Sequence, residues 1–377
     1  MARLLLAALL ILVALPALAV TFLLILPRSV RTHRFDAPLR PPLEGVLAPN
    51  TALEACELFA ADAIDGPEEL EVDAEEWVYA GTHAGTIVRL RIDGRGSPTV
   101  EVFAEPGGRP NGLTFDREGH LIVSDGYFVP HSRIDPQGGV VPYTQLGAAG
   151  GDAAVARDGR VFFPSLPPWK RTGQVVIDFL VHMLEASPDG ELRVFDPVQQ
   201  TSTVLLDDLL VPDGIALSSD EAFVAVNELG AYRIRRYWLT GPKAGTDDIL
   251  VDNLPGLPDG LASDGRGTFY VAFPVRRNDA LDWLHKRPFL KDQVVKILTL
   301  TRTLPQPAGA GYGLVLAIDE EGHITRSFHD PDGLVGGGIT TAEPHDGWLY
   351  LGSLGGRGIA RCPLDASVAE GRAPAPR

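Results

Sequence analysis

The chain has 377 residues, of which 45% are hydrophobic and 7% aromatic, enough to bury a large core. Its formal net charge of -16 argues against a nucleic-acid partner, because binding phosphates requires a basic face, and it suits a site that collects cations. The chain has two cysteines and no Cys-x-x-Cys motif, which argues against a structural zinc site.

The N-terminal residues form the first predicted element. Leu4 to Leu26 is uncharged and almost wholly apolar, and it is long enough to cross a bilayer as a helix. Residues 1–27 are therefore predicted to be a transmembrane anchor. The alternative is a cleaved signal peptide with an Ala-x-Ala site at residues 17–19. Because the apolar run continues past that site, we favour the uncleaved anchor, followed by an extended linker over residues 28–52.

Residues 53–365 are predicted to form an all-β, six-bladed β-propeller, followed by a disordered tail over residues 366–377. The 41 Gly and 31 Pro among many short apolar runs are typical of turn-rich β structure. A short phrase with an oxygen-bearing side chain precedes an apolar strand about every 40 to 60 residues, the period of a propeller blade. The sixth blade is expected to begin near Gly313.

Five side chains in these phrases are expected to lie close together, because each blade's first strand lines the central channel. Any single Pro-Asp-Gly can be a plain turn, and that alternative stays open for each copy. Several acids on one axis would repel each other unless a cation joined them or their pKa values rose. Because carboxylate and amide oxygens suit Ca²⁺, we predict a calcium site on this axis.

Two segments interrupt the repeat, at residues 164–184 and at residues 274–298. Both are long for connections within a blade, and the second has apolar residues at helical spacing with a basic face. The segments either pack on the propeller as plain core or form an apolar lid that contacts the bilayer. The sequence leaves both alternatives open.

An ordered set of motifs in the later blades carries a family resemblance. It comprises Val211-Pro212-Asp213-Gly214, Leu257-Pro258-Asp259, His329-Asp330-Pro331-Asp332-Gly333 and His345-Asp346-Gly347-Trp348. From about residue 54 to residue 364 the chain resembles the gluconolactonase, paraoxonase and strictosidine-synthase-like family of six-bladed propellers. It is most similar to the membrane-anchored branch of that family.

The resemblance implies a calcium site and a catalytic residue. Glu68 and Asp259 fall on the family's acidic ligand positions. Asp213 falls on a position that is Asn in the family, so an acid replaces an amide there. In the hydrolases of the family the residue corresponding to Asp259 is also the general base or nucleophile. That role is therefore expected of Asp259.

Two departures from the family pattern matter. Gly151 falls on a further Asn ligand position and has no side chain, so Asp152 and Asn111 are expected to supply the missing oxygens. The calcium ligands predicted in this way are Glu68, Asn111, Asp152, Asp213 and Asp259. The glutamate that strictosidine synthase uses before its last His-Asp-Gly is also absent from residues 336–342, with only Glu343 nearby. This argues against an alkaloid-type condensation.

Two functions from different classes follow from the resemblance. The first is a membrane-anchored, calcium-dependent hydrolase of lactones or aryl esters with a small hydrophobic substrate. The alternative is a non-catalytic propeller that has a structural cation and binds a partner or lipid. The missing side chain at Gly151 favours the alternative, whereas the additional acid at Asp213 favours the hydrolase.

The side of the membrane and the state of the cysteines are linked. Arg28, Arg31 and Arg34 follow the predicted anchor, and the positive-inside rule would keep the propeller cytoplasmic. The family topology and the supply of calcium favour the opposite side, so we expect a single-pass protein with an extracytoplasmic propeller, either periplasmic or lumenal. If the strand at residues 53–59 closes the ring against residues 358–362, Cys56 and Cys362 are neighbours. They are then either a disulfide or two buried thiols.

Overall fold

The computed structural model of the protein describes residues 21–22, 24–27, 30–92, 98–125, 131–144, 151–167, 175–303, 311–333, 335 and 337–364. Within these ranges the strands form six antiparallel sheets of four strands each, so the predicted six-bladed β-propeller is confirmed. No helix in the same ranges has the length and apolar character needed to cross a bilayer. Most of the predicted anchor and the whole tail over residues 366–377 lie outside the described residues.

The strands follow one another through the ring in chain order, apart from the first. The first two blades contain β2 (Leu70–Val72), β3 (Trp77–Gly81), β4 (Ile87–Arg91), β5 (Glu101–Ala104), β6 (Pro110–Phe115), β7 (Leu121–Asp125), β8 (Ser132–Ile134) and β9 (Val140–Pro142). The third and fourth contain β10 (Ala154–Val155), β11 (Val161–Ser165), β12 (Gly190–Asp196), β13 (Thr201–Leu209), β14 (Pro212–Leu217), β15 (Phe223–Glu228), β16 (Arg233–Trp238) and β17 (Asp247–Val251). The last two contain β18 (Leu261–Ser263), β19 (Thr268–Ala272), β20 (Gly313–Asp319), β21 (Ile324–Asp330), β22 (Ile339–His345), β23 (Trp348–Ser353), β24 (Ile359–Pro363) and the N-terminal β1 (Glu57–Phe59).

The ring is closed by its two ends. The N-terminal strand β1 pairs antiparallel with β24, so that Glu57 lies opposite Arg361 and Phe59 opposite Ile359. The closing strand is shorter than expected, because Ala52–Ala55 forms a 3-10 turn ahead of it. Cys56 and Cys362 are bonded as a disulfide across this pair, with Cα atoms 4.1 Å apart and a sequence separation of 306.

The expected start of the sixth blade was wrong. The strand β20, which begins at Gly313, pairs with β19 along Thr268–Ala272 and is therefore the third strand of the fifth blade. The sixth blade begins with β22 instead. The error arises because the insertion after β19 separates two paired strands by about a blade's length, which imitates the repeat period.

Neighbouring blades are held together by buried apolar side chains. In the described residues, six clusters of such side chains each join two adjacent blades. One of them joins the first blade to the last, where Leu70 and Val78 pack with Tyr350 and Ile359. The second strand of a blade lies between two such clusters, so β7 and β15 are buried along their whole length. This continuous packing fixes the first strands around the channel.

Helices occur in the two insertions. They are α1 (Val175–Glu185), α2 (Asp279–His285) and α3 (Pro288–Thr301). The chain divides into two compact units, and the helices belong to the one made of Met1–Ala37, Trp169–Ser187 and Asp279–Gln306, here called the helical unit. This unit has its own core, in which Ile177 and Val181 of α1 pack with Val295 and Leu298 of α3.

We expect the disulfide to stabilise the closed ring. Replacing Cys56 and Cys362 together by serine should lower the free energy of unfolding by about 2 to 5 kcal/mol, because the link restrains a very long loop in the unfolded chain. Denaturant unfolding of the parent and the double variant measures the difference. Equal stability, or two alkylated cysteines in unreduced parent protein, would contradict the assignment.

Candidate functional site

The start of every first strand contributes to one site on the channel axis. Glu68 and Asp259 each lie two residues before a first strand, and Asn111, Asp213 and Thr340 are each the second residue of one. These five residues occupy equivalent places in five blades and are called the strand-start set. Together with Asp152 they line one cavity of about 10 Å³, so the structure brings all five predicted ligands together. That volume holds one water-sized or ion-sized occupant.

Hydrogen bonds between blades fix the backbone around this cavity. The Gly214 N–H donates to the carbonyl oxygen of Asp259 at 3.0 Å, and the Gly260 N–H donates to that of Thr340 at 2.8 Å. The Thr340 hydroxyl donates to the carbonyl oxygen of Glu68 at 2.7 Å and so links the sixth blade to the first. A Cβ at Gly214 would collide with the Asp259 carbonyl oxygen, so this close approach requires glycine.

In the third blade Asp152 lies two residues before β10, whereas the neighbouring Gly151 brings no side chain to the cavity, and the structure explains why. A Cβ on Gly151 would collide with Oδ1 of Asp213, so the Asp213 carboxylate fills the space that a side chain at position 151 would need. The loss of a ligand at Gly151 is therefore coupled to the acid at Asp213. In the sequence these are two separate departures from the family pattern. In space, the Asp213 carboxylate occupies the place of the missing side chain at residue 151.

A second group of acids continues from the cavity into the channel. Glu69, Glu71, Asp152 and Glu343, called the channel set, line a cavity of about 280 Å³. The Thr341 hydroxyl donates to Glu69 Oε1 at 2.6 Å, and the Ala153 N–H donates to Asp152 Oδ1 at 2.6 Å. Glu69 and Glu71 are two residues apart, so the period-two spacing of acids could have predicted that both face the channel.

Burial shifts the pKa values of carboxyl groups in both the strand-start set and the channel set. Glu68, Asp213 and Asp259 keep part of their surface accessible because they face the cavity, but they lie deep in the protein. Burial raises the pKa of each of these carboxyls. Burial also raises the pKa of Asp152 and of Glu343 to about 8 in each case, and the charge of neighbouring acids adds to the effect.

Asp213 and Asp259 are directly coupled. Their carboxyl groups share a hydrogen bond, and the pKa of Asp259 lies well above its usual range because of burial and the adjacent Asp213 charge. Asp259 therefore holds a proton more strongly than Asp213 and is the donor in their shared hydrogen bond. In this state the pair can give up one proton when a positive charge arrives.

Among the described residues, Arg109 is the basic residue that pairs with an acid of the axial cavity. Arg109 is 4% exposed, and its Nε donates to Glu68 Oε2 at 2.7 Å. A second guanidinium nitrogen contacts Nδ1 of His83, whose Nε2 lies 2.6 Å from the carbonyl oxygen of Leu354. Sequence reasoning gave Arg109 no role, although it is the first residue of the second phrase. It neutralises part of the charge on Glu68 and leaves Asp152, Asp213 and Asp259 without a basic partner among the described residues.

The residues present fit a divalent cation of the calcium type. Oδ1 of Asn111 is buried at the cavity without a hydrogen-bond partner, although the amide nitrogen of the same residue lies 3.4 Å from Glu68 Oε1. An unpartnered oxygen beside several carboxylates is the donor set that Ca²⁺ uses. Its placement supports a cation in this cavity.

A second group of potential ligands lies on the hairpin between β6 and β7. Asp116, Glu118 and His120 have donor atoms close enough to share an ion. The Arg133 guanidinium already donates to Asp116 at 2.7 Å and to Glu118 at 2.5 Å. The Arg133 guanidinium thus pairs with both carboxylates of this group, whereas in the axial cavity Arg109 pairs with Glu68 alone among the described acids.

Comparison with known proteins shows which family this chain resembles. Residues 45–90 match the model described as strictosidine synthase-like, N-terminal, and residues 170–242 match the model described as strictosidine synthase. The chain is 33% identical to adipocyte plasma membrane-associated protein of Rattus norvegicus, over 94% of this chain and 97% of the relative. It is 32% identical to the Homo sapiens protein of that name, over 93% of this chain and 87% of the relative. The resemblance inferred from the motifs is confirmed.

Comparison with solved structures supports the fold. A gluconolactonase from Xanthomonas campestris superposes with a TM-score of 0.57 at 17% identity, covering 90% of this chain and 99% of the other. The calcium-binding protein regucalcin from Agrobacterium tumefaciens superposes with a TM-score of 0.53 at 13% identity, covering 81% and 90%. At these identities the likeness shows a shared propeller fold.

We expect the stability of the cation-free protein to fall as pH rises from about 5 to about 8. In this range the folded protein keeps protons on Asp152 and Glu343 that the unfolded chain has lost, so raising the pH favours the unfolded chain. Melting temperature measured in chelator should fall by several degrees, and Glu343→Gln should flatten the curve, whereas the exposed control Glu321→Gln should not. A melting temperature that is constant or rises over this range would contradict the assignment.

Proposed function

The chain belongs to the strictosidine synthase-like family of adipocyte plasma membrane-associated proteins, and on this basis we propose that it is a membrane-anchored, calcium-dependent hydrolase of lactones or aryl esters. The observation that carries the proposal is the axial cavity, where three acids without a basic partner in the described residues surround space for one ion. The gluconolactonase and regucalcin likenesses agree with it in fold.

Different residues of the protein would hold the cation and react with water or substrate. Glu68, Asn111, Asp152, Asp213 and Asp259 would hold the cation, with Arg109 fixing the orientation of Glu68. When bound, Ca²⁺ would polarise the carbonyl of the substrate and stabilise the negative charge that develops on its oxygen. Asp259, once it loses the proton it shares with Asp213, can accept a proton from water or attack the carbonyl carbon.

The acidity of the surroundings defines the substrate class. The channel set disfavours substrates with negative charge, because its four acids offer a buried carboxylate or phosphate no positive partner, and Arg157 in the same lining already lies 3.6 Å from Glu221. A neutral lactone or aryl ester avoids this cost. We therefore propose neutral, hydrophobic esters as substrates and expect anionic esters to be poor ones.

A specific observation favours a second candidate, a non-catalytic propeller with a structural cation. The strand-start cavity itself holds only about one ion-sized occupant, and the hydrogen bonds around it tie the blades together. A cation there would stabilise the ring whether or not a substrate binds. The absence of hydrolysis, with calcium binding retained, would support this candidate.

The disulfide bears on the proposed location. A bond between Cys56 and Cys362 is typical of an oxidising compartment, where calcium is also plentiful. We propose that the propeller lies outside the cytoplasm, on the periplasmic or lumenal side of a single membrane anchor. The relatives named for association with the plasma membrane agree with an anchor of this kind.

Asp259→Asn tests the catalytic proposal. The amide keeps an oxygen ligand of similar size and removes the base or nucleophile, so we expect folding to persist and turnover to fall by at least about a hundredfold. The assay is hydrolysis of a panel of lactones and aryl esters, with and without chelator, using the exposed Asp189→Asn as a matched control. Near-parental turnover of Asp259→Asn would exclude the catalytic role, and chelator-resistant turnover would exclude the metal.

Calcium affinity tests the ligand set separately. Glu68→Ala and Asp213→Ala should each weaken binding by about tenfold or more in titration calorimetry, because each removes an oxygen from the cavity. The stabilisation by calcium should shrink accordingly, while the variants and parent should differ much less in chelator. Glu118→Gln, in the hairpin group, serves as a control that should bind like the parent. Unchanged affinity in the two alanine variants would exclude both residues as ligands.

A further inference from the structure

The helical unit contains the exposed aromatic side chains of the described residues, whereas the apolar side chains that the propeller exposes there are aliphatic. Among the described residues, the exposed aromatic side chains are Phe22, Trp283 and Phe289, which are 52%, 51% and 54% accessible. All three belong to the helical unit. Large apolar groups that are exposed next to one another mark a surface with a partner, and α3 presents such groups.

Three exposed apolar groups of α3 lie in one stripe, with the half-buried Gln293 between Phe289 and Ile297. Phe289, Ile297 and Leu300 are eight and three residues apart, which places them within about one quadrant of the helix. They are 54%, 42% and 55% exposed, whereas Val295 and Leu298 on the opposite side are buried in the core of the unit. The helix is therefore apolar on two sides, and only one of them is used for packing within the unit.

Basic side chains border this stripe at both ends of α3. The Arg287 guanidinium lies over the Trp283 ring, 3.9 Å from its centre, and its Nη1 donates to the Trp283 carbonyl oxygen at 2.6 Å. Lys286 and Arg302 are exposed. In a protein with a net charge of -16, apolar groups bordered by cations match a surface that is apolar inside and anionic outside.

The segment after the N-terminal apolar run is bonded into this same unit. The Thr32 hydroxyl donates to Asp292 Oδ1 at 2.8 Å, the His33 N–H donates to the Glu185 carbonyl oxygen at 2.7 Å, and Lys291 donates to the His33 carbonyl oxygen. Thr32 lies six positions after Leu26, a stretch of chain that spans at most about 20 Å. The chain therefore passes from its apolar run directly into the helical unit.

We propose that the helical unit rests on the surface of an anionic lipid bilayer through Trp283, Phe289, Ile297 and Leu300, here called the interfacial face. The face inserts into the headgroup region, and Lys286, Arg287 and Arg302 pair with lipid phosphates. This contact sets the orientation of the helical unit at the membrane, which a flexible connection to an anchor alone would leave free. The inference does not depend on the proposed hydrolase activity.

The test uses the full-length protein in vesicles of phosphatidylcholine and phosphatidylserine, with lipids brominated on their acyl chains. Bromine quenches tryptophans that enter the bilayer, so the parent fluorescence should be quenched and Trp283→Phe should lose most of that quenching. Trp77→Phe, in the first blade of the propeller, is the matched control and should keep it. Equal quenching of the parent and Trp283→Phe would overturn the proposal.

A second variant controls for loss of folding. The emission of Trp283 then distinguishes lipid from other occupants of the interfacial face. Because Ile297 and Leu300 are exposed, Ile297→Asp with Leu300→Asp should leave the melting temperature unchanged and abolish the quenching of Trp283. Trp283 emission that is shifted to the blue without bromine quenching would mean that protein covers the face. Dependence of that shift on protein concentration would identify a second copy, and independence would identify the N-terminal residues; either result contradicts the lipid contact.

Discussion

Repulsion between carboxylates buried around one small cavity is the constraint on which the rest of the molecule depends. The hydrogen bond between Asp213 and Asp259 reduces this repulsion, and the Arg109 guanidinium reduces it at Glu68. Burial holds the remaining acids partly protonated by raising their pKa values. The shared proton and the arginine together neutralise less of the negative charge than a divalent ion would. The cavity therefore favours a bound cation whenever one is present.

The fold keeps these charges together against their repulsion. Six apolar clusters lock each blade to its neighbours, and the disulfide joins the two chain ends. Glycines at the strand starts let the backbones of successive blades approach closely enough to hydrogen-bond, as between Gly214 and Asp259. The hydrophobic energy of the ring therefore offsets the electrostatic repulsion within the site. A bound cation would reduce that repulsion and so stabilise the folded protein.

Much of this arrangement could be predicted from the sequence, because strand starts in a propeller share one axis. That rule placed Glu68, Asn111, Asp152, Asp213 and Asp259 together. It could not identify Arg109, since a lone basic residue before a turn has no periodic signal. Nor could it show that Gly151 makes room for Asp213, which depends on contacts between blades. The start of the last blade was misplaced at Gly313 because an insertion imitated one repeat.

The most direct test of the central claim is a crystal structure of the protein grown with calcium, with the ion located by its anomalous scattering. The account predicts one strong peak in the axial cavity, within about 2.3 to 2.6 Å of oxygens from Glu68, Asp213 and Asp259. It also predicts that the hydrogen bond between Asp213 and Asp259 is lost. An empty axial cavity, or a peak only beside Asp116 and Glu118, would contradict it.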